Sequence, residues 1–389
     1  MAEKCVVNSL SEYIAAIEKY GLFNCISRGE HKKYDYPLRS GVHRKHFEQY
    51  SKLLDAYHLD VETTINPIQD KHFIAFAQHH GIPTNLLDFS CSPLVSLYFS
   101  VSGSEEKGYV YFIKKERTVS VNNSIIEKPR GWGMLSDLLD YDPLLFREIL
   151  PQMAEAFMAN REEMIEYFEN HADTFIREFK KHRAKSYLET LEGGVDDFEK
   201  ALMKYRSYKP EWKADTKVQD PVTLQIYDSA PSFLNSLNKV YKGDIHHPSS
   251  FFANYCNVSD TVVPRHCANI HVMMFLFKME EIEYCYESAV FSKQLEHELE
   301  FPFYFTYHPP VIDERVKNQS SIFIVQPFST GKMLVDGEWV KIWQKIIPDF
   351  TIEIQNPTGI KQELDSIGIN LKHIYCDYDS IAKYTVNAL

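Results

Sequence analysis

The most informative stretch of the chain is QHHGIPTNLLDFSCSPLVSLYFS, residues 78–100. Apolar side chains recur at helical spacing over 70–80, and Gly81 ends that segment. After a turn at 82–84, two leucines lead to Asp88. A second helix is predicted to begin at Ser92-Pro93, because proline is tolerated at the first helical position. The apolar side chains of that helix are typical of a buried core.

Upstream of this stretch, the pattern predicts a helix over 9–20 and a short buried strand over 22–27 that ends in Arg28-Gly29. A helix is also predicted over 45–58. Between the strand and this helix lies a loop with two tyrosines and a basic cluster. These residues are Tyr34, Tyr36, Arg39, His43, Arg44, Lys45 and His46.

Downstream, the periodicity predicts a strand over 108–114, three or four helices within 133–205 and helical character at 223–241. From about residue 268 the pattern favours strands again. The later elements predicted are strands at 271–277, 321–326, 351–355 and 371–375, a hairpin at 333–342, a helix at 359–367 and a last helix after Asp377.

This order of elements predicts an α+β fold with small mixed or antiparallel sheets, flanking helices and a helical insertion. The predicted boundaries are 1–130 for the N-terminal half of one interrupted domain, 131–245 for the insertion and 246–389 for the C-terminal half with a β/α tail.

The composition excludes several classes of protein. Lys plus Arg number 42 against 54 Asp plus Glu, for a net charge of −12, so a non-specific nucleic-acid coat is not favoured. The sequence contains no run of about 18 apolar residues, so no membrane span is predicted, and the first residues lack the pattern of a signal peptide. Seven cysteines without a CxxC pair argue against disulfides and a metal site. We therefore expect a cytoplasmic protein.

Three stretches together resemble the bacterial FRG-domain family, which is named for a Phe/Tyr-Arg-Gly triplet. The first is 27–30 followed by 34–38 and Arg44, the second is 78–100, and the third is 313–326. The segment QHHGIPTNLLD is the most specific of them. The resemblance is strongest over about 20–113 and weaker over 308–326 and the tail.

Two departures from the family pattern are visible. The triplet is Ser27-Arg28-Gly29, without the aromatic residue. Asn85 stands where the family usually has arginine, so one positive charge is missing from the expected site.

Several polar residues of these stretches have two possible roles. Arg28 can bind a phosphate or carboxylate, with Gly29 letting a ligand approach the backbone, or it can form a surface ion pair. One of His79 and His80 can serve proton transfer while the other caps the helix. The side chains of Thr84, Asp88 and Ser90 can line a site or stabilise the turn; both readings stay open.

The layout also resembles that of ADP-ribosyltransferases, which split NAD in a cleft between two small sheets. The resemblance implies that Arg28 binds the dinucleotide and that Gln319 lies near the reacting ribose. Those transferases often have glutamate at the position of Gln319, and Glu298 or Glu300 is the alternative source of a carboxylate. The remaining residues expected to bind NAD are Gly29, Arg44, His79, Thr84, Asp88, Ser90 and Arg315, with His80 as a catalytic candidate and Phe99 or Tyr98 beside the nicotinamide ring.

The sequence thus leads to competing hypotheses about function. The first is NAD-dependent ADP-ribosyl transfer or NAD cleavage, in bacterial phage defence or a toxin-like role, with the insertion selecting a protein target or regulatory partner. The second is a non-catalytic module that senses a nucleotide or binds a protein. A third, a metal-dependent nuclease or phosphate-transfer enzyme using Asp88 and Asp313, lacks a compact carboxylate cluster. No membrane partner and no metal are expected.

Overall fold

A computed structural model describes residues 3–46, 49–103, 106–127, 296–301, 303–332 and 339–388, with five single positions between 145 and 156. The helices are α1 (Leu10–Lys19), α2 (Tyr50–Val61), α3 (Pro67–Lys71), α4 (Phe73–His79), α5 (Pro93–Val101), α6 (Asn122–Glu127), α7 (Glu314–Asn318), α8 (Pro357–Ser366), α9 (Leu371–Tyr375) and α10 (Tyr378–Ala388). Short 3₁₀ turns span Leu22–Asn24 and Lys115–Arg117, and a π-helical turn spans Val42–His46.

Eleven strands form two sheets in these residues. They are β1 (Glu3–Val7), β2 (Cys25–Glu30), β3 (Leu86–Ser90), β4 (Gly108–Lys114), β5 (Thr118–Ser120), β6 (Glu296–Glu300), β7 (Tyr304–Tyr307), β8 (Ser321–Val325), β9 (Phe328–Lys332), β10 (Trp339–Lys345) and β11 (Phe350–Ile354). The larger sheet has eight strands in the order β1-β11-β4-β2-β3-β8-β7-β5, and the smaller has the order β6-β10-β9.

The larger sheet is mixed. The β1–β11 and β5–β7 pairs are parallel, whereas the pairs between β11 and β7 in the sheet order are antiparallel. Helices flank it, so the predicted α+β class is confirmed.

Apolar side chains cover both faces of the large sheet. On one face α1, α5 and α8 pack through residues such as Tyr13, Leu97 and Ile360, all fully buried. On the other face the core is built from strand residues such as Ile26 and Ile324 together with the loop residue Leu38. Burial on both faces leaves the central strands β2, β3 and β4 as continuous apolar runs interrupted by a few polar residues, and those polar residues form the site described below.

Contacts between Cα atoms divide the chain into two compact units. The first comprises Met1–Trp132, Tyr304–Pro327 and Gln344–Leu389, and it contains the eight-stranded sheet. The second comprises Gly133–Phe303 and Phe328–Trp343. The predicted helical insertion at 131–245 and the predicted strand at 271–277 lie outside the continuously described residues, so the predicted domain boundaries stay a prediction.

The tail corrects one prediction. Leu371–Tyr375, predicted as a strand, is the helix α9. Asn370 caps it, because its side-chain oxygen accepts a hydrogen bond from the His373 N–H over 3.1 Å, and this local cap outweighs the apolar run. In the part of the chain that the structure describes, no helix has the length and apolar character needed to cross a membrane.

Candidate active site in a forked sheet

The large sheet forks between β2 and β3. These strands share the single residue pair Ser27↔Ser90, whereas β2 pairs with β4 over six residues and β3 pairs with β8 over five. Beyond that pair β2 and β3 are no longer paired with each other, and a cleft of about 250 Å³ lies between them. Its walls are formed by Ser27, Arg28, Gly29, Gln78, His79, Asp88, Phe89, Ser90, Ser96, Phe99, Arg315, Gln319, Ser321 and Tyr375.

Arg28 bridges the fork. Its Nη1 donates to the backbone carbonyl of Asp88 over 2.7 Å and lies 3.6 Å from the Asp88 carboxylate. Its Nε donates to Oε1 of Glu30 over 3.3 Å, and the Glu30 side chain is 2% exposed. The guanidinium thus supplies the donor that a neighbouring strand would supply in an unbroken sheet. Within the described residues its Nη2 makes no hydrogen bond and can bind a ligand.

Gly29 serves helix packing in this structure. A Cβ atom built there would lie 1.8 Å from the backbone oxygen of Ser96, on α5. Beside it, the Ser27 hydroxyl donates to the Ser96 hydroxyl over 2.8 Å. The sequence suggested that Gly29 admits a ligand, but the space on its Cβ side is filled by the backbone of α5. The close packing of α5 on β2 places Phe99 in the wall of the cleft.

A relay of hydrogen bonds fixes the Asp88 carboxylate. Thr84, which is fully buried, donates from Oγ1 to the side-chain oxygen of Gln78 over 2.6 Å and accepts from the Leu86 N–H. Gln78 in turn donates from Nε2 to Oδ2 of Asp88 over 2.9 Å. Thr84 therefore stabilises the turn and orients a cleft residue without lining the cleft itself.

His79, Asp313 and Arg315 meet on another wall. Nδ1 of His79 lies 3.2 Å from Oδ2 of Asp313, whose Oδ1 accepts the Val316 N–H and caps α7. Burial acts to raise the pKa of Asp313, but the hydrogen bonds from His79 and Val316 outweigh burial, and the net pKa is lowered. Arg315 donates from Nη1 to the His79 carbonyl over 2.9 Å. The contact between His79 and Asp313 thus ties the end of α4 to the start of α7.

Gln319 caps the C-terminal end of α7, two residues before β8 begins at Ser321, and it lines the cleft. Its side-chain Nε2 donates to the Ile374 carbonyl of α9 over 3.2 Å, while its own carbonyl accepts the Ser90 hydroxyl over 2.6 Å. Both contacts are structural. The bond to Ile374 holds α9 in place, the bond from Ser90 ties β3 to the end of α7, and the last residue of α9, Tyr375, forms part of the cleft wall.

Besides Thr84, two of the residues predicted for the site lie outside the cleft lining. His80 is exposed, ends α4 and packs its ring 4.3 Å from that of Phe76. Burial is the largest cause that lowers its pKa, with Arg315 and His79 acting in the same direction. Arg44 is also exposed; it places its guanidinium 4.5 Å from the ring centre of Tyr34 and 3.8 Å from Glu30.

Asn85, expected to mark a positive charge missing from the site, does not line the cleft. It is fully buried, and its side-chain oxygen accepts the Tyr50 hydroxyl over 2.8 Å. The position belongs to the core between α2 and β3. The departure from the family pattern there is therefore a matter of packing.

Six residues of the cleft lining were not among the predicted site residues: Ser27, Gln78, Phe89, Ser96, Ser321 and Tyr375. Gln78 is the first residue of the most specific segment, QHHGIPTNLLD, so its place in that motif could have indicated a site residue. Ser96 lies in an apolar helix where its small size is informative only once β2 is known to pack against it. Tyr375 carries no local signal. The described residues hold no group of three His, Cys, Asp or Glu side chains suited to a metal ion.

Comparison with known families agrees with the sequence motifs. Residues 24–108 match the family model of the FRG domain, a segment that runs from β2 to the start of β4 and includes Arg28, Gln78 and Asp88. Comparisons with curated proteins and with solved structures give no match. The part of the cleft formed by α7 and α9 lies outside the matched segment. By this match the chain contains an FRG domain over residues 24–108.

Proposed function

We propose that the cleft binds a nucleotide through its phosphate groups, and that with NAD as substrate the domain cleaves the bond between nicotinamide and ribose. The observation that carries this proposal is the position of Arg28 in the fork, with Nη2 unused among the described residues. A guanidinium with a spare N–H in a cleft is a strong ligand for a phosphate oxygen.

Arg315 supports an anionic ligand. It makes one hydrogen bond through Nη1, and its buried Nε makes none within the described residues. Its guanidinium lies 5.0 Å from the ring centre of Tyr375. Two arginines therefore line a cleft in which Asp88 is the single carboxylate among the lining residues. Among the lining residues the two arginines thus outnumber the one carboxylate, while Glu30 and Asp313, which contact Arg28 and His79, lie outside the lining.

The size of the cleft and its aromatic wall suit one half of a dinucleotide. Phe99 and Tyr375 pack edge to face with ring centres 6.2 Å apart. A volume of about 250 Å³ lies just below the range of about 300–1,000 Å³ usual for small-molecule sites. Flat rings beside arginines favour a ligand that combines a base with a phosphate.

The proposed reaction breaks the C1′–N bond, and the electron pair leaves with nicotinamide. Water or a nucleophile of a target then bonds to C1′ and releases its proton to solvent, which gives ADP-ribose or an ADP-ribosylated product. Positive charge develops on the ribose in the transition state and is stabilised by a nearby carboxylate. Asp88, half exposed and oriented by Gln78, is our candidate for that group, because the amide of Gln319 is neutral and already hydrogen-bonded.

The second candidate function is a nucleotide sensor without catalysis. It is favoured by the pairing of Asp88 with Arg28, since a partly neutralised carboxylate stabilises a cationic sugar less well. The expected cytoplasmic location and role in bacterial defence or toxicity stay predictions, as does the choice of a protein target by the insertion.

Release of nicotinamide from NAD by the purified chain tests the proposal. We expect release, and its loss in Asp88→Asn and Arg315→Gln, with Lys361→Gln on the far helix α8 as a control for charge. Thermal stabilisation by nicotinamide mononucleotide or ADP-ribose without any release identifies the sensor. If neither compound stabilises the chain and no nicotinamide appears, both functions are wrong.

A further inference from the structure

Residues 31–46, here called the basic loop, carry a charge opposite to that of the chain. The loop contains Lys32, Lys33, Arg39, Arg44 and Lys45 against the single acid Asp35, in a protein of net charge −12. It begins directly after β2 and lies outside the lining of the cleft, although Oε1 of Glu30 contacts both Arg28 and Arg44. A local positive surface of this kind attracts polyanions even when the whole protein is acidic.

Cations of this loop pack over the faces of its two tyrosines. The Arg44 guanidinium lies 4.5 Å from the ring centre of Tyr34, and the Lys32 ammonium lies 5.1 Å from the same centre. The Arg39 guanidinium lies 4.2 Å from the ring centre of Tyr36, which is 59% exposed. Each tyrosine is thus held in position by a cation while part of its ring stays open to solvent.

The backbone of the basic loop is anchored to the core. Leu38 is 1% exposed, and its N–H donates to Glu30. The Ser40 N–H donates to the side chain of Gln326 over 2.9 Å, and the Val42 N–H donates to the Thr84 carbonyl over 3.1 Å. Because these anchors lie between the tyrosines and Arg44, the charged and aromatic groups are arranged before any partner binds, which lowers the entropy cost of binding.

We infer that the basic loop is a binding surface for single-stranded nucleic acid. Lysine and arginine side chains would pair with successive phosphates, and an unpaired base would stack on the exposed ring of Tyr36. An acidic peptide would use the charges but need not supply a flat ring for Tyr36. A duplex would bury its bases away from it. Cations beside an exposed aromatic ring therefore favour a single strand.

The test is fluorescence anisotropy of a labelled 12-nucleotide mixed-sequence single-stranded DNA with the full chain, from 25 to 200 mM salt. For about three phosphate contacts, the logarithm of affinity should fall with that of salt with a slope of about −2. The double variant Lys32→Ser/Lys33→Ser should bind at least fivefold more weakly and with a shallower slope. Tyr36→Ala should weaken binding by about fivefold or more, while Tyr36→Phe, which keeps the ring, should bind normally.

A matched control removes the same charge elsewhere, in the double variant Lys361→Ser/Lys383→Ser on α8 and α10. The inference is overturned if this control loses as much affinity as the loop variant, or if no salt-dependent binding occurs. Polyglutamate of equal charge that competes as well as unlabelled DNA overturns it too, because the rings would then contribute nothing. Thermal unfolding checks that each variant is folded. The test does not depend on NAD, so its outcome is separate from that of the proposed function.

Discussion

The Nη1 of Arg28 donates to the backbone carbonyl of Asp88 over 2.7 Å, at the point where β2 and β3 separate. A side chain here takes over a hydrogen bond that a β-sheet normally makes between backbones. The carbonyl of Asp88 therefore keeps a hydrogen-bond partner although β2 and β3 separate, and the space between the two strands is the cleft. The same arginine therefore stabilises the fork and faces the ligand site, so its removal should affect folding and binding by different routes.

Arg28→Ala should lower the free energy of unfolding by about 3 kcal/mol, because it leaves the buried Glu30 carboxylate with fewer partners. Oε2 of Glu30 already has no hydrogen-bond partner within the described residues. Adding Glu30→Gln removes the buried charge and should recover roughly half of that loss. Urea unfolding measures both. A double variant no more stable than Arg28→Ala would contradict the ion-pair explanation, and nucleotide binding should stay lost in either case.

Gly29→Ala should destabilise the fold by about 3 kcal/mol, since the new methyl group would overlap the backbone of α5 at Ser96. Gly21→Ala is the matched control. Gly21 has φ +64 but no atom within 4 Å of a built Cβ, so its substitution should cost only about 1 kcal/mol of backbone strain. Equal losses in chemical denaturation would show that α5 moves aside easily.

Asn85→Arg, which restores the residue usual in the family, should destabilise this chain by at least about 3 kcal/mol. The position is fully buried beside the Tyr50 hydroxyl, and a guanidinium there has to lose its water. Differential scanning calorimetry gives the change. A variant that is as stable as the natural chain and binds ADP-ribose more tightly would place residue 85 in the ligand site after all.

Gln319→Glu should not create or increase NAD cleavage, although the ADP-ribosyltransferase layout predicted from the sequence would have a carboxylate at this position. The Gln319 amide donates to the Ile374 carbonyl, and a carboxylate would repel that oxygen. We expect faster hydrogen exchange in α9 by mass spectrometry and unchanged or lower activity. Asn318→Asp, which removes the parallel bond to the His373 carbonyl, should loosen α9 in the same way. A gain of activity in Gln319→Glu would argue against our choice of Asp88.

Glu353 should make stability dependent on pH in the acid range. Lys107 and Lys4 hydrogen-bond its carboxylate and lower its pKa. A lowered pKa in the folded state gives stability above the unfolded pKa of about 4.3 that is lost as pH falls through the folded value. The free energy of unfolding of the natural chain should exceed that of Glu353→Gln by about 1 kcal/mol at pH 7, and the difference should close as the pH falls through the lowered folded pKa of Glu353. Urea midpoints from pH 2.5 to 7 test this, and a difference independent of pH would contradict it.

Features that depend on neighbouring residues could be predicted from the sequence, whereas features that depend on contacts between distant residues could not. The helix at 70–80 and its end at Gly81 were predicted because periodicity and a glycine with positive φ are local properties. Leu371–Tyr375 was assigned wrongly because five apolar-rich residues fit a strand or a helix equally well, and a cap at Asn370 decided between them. Most predicted site residues do line one cleft, but Arg44, His80 and Thr84 do not.

By itself, the sequence determined the FRG domain at 24–108, the α+β class and the polar groups near Arg28 and Asp88, because motifs and periodicity are recorded in neighbouring residues. Only the tertiary structure decided which contacts those groups make. The separation of β2 from β3, the packing of α5 against Gly29 and the use of Gln319 to hold α9 join residues 55 to 67 positions apart. Such contacts depend on how strands pair and helices pack across the whole domain, and no local pattern encodes them.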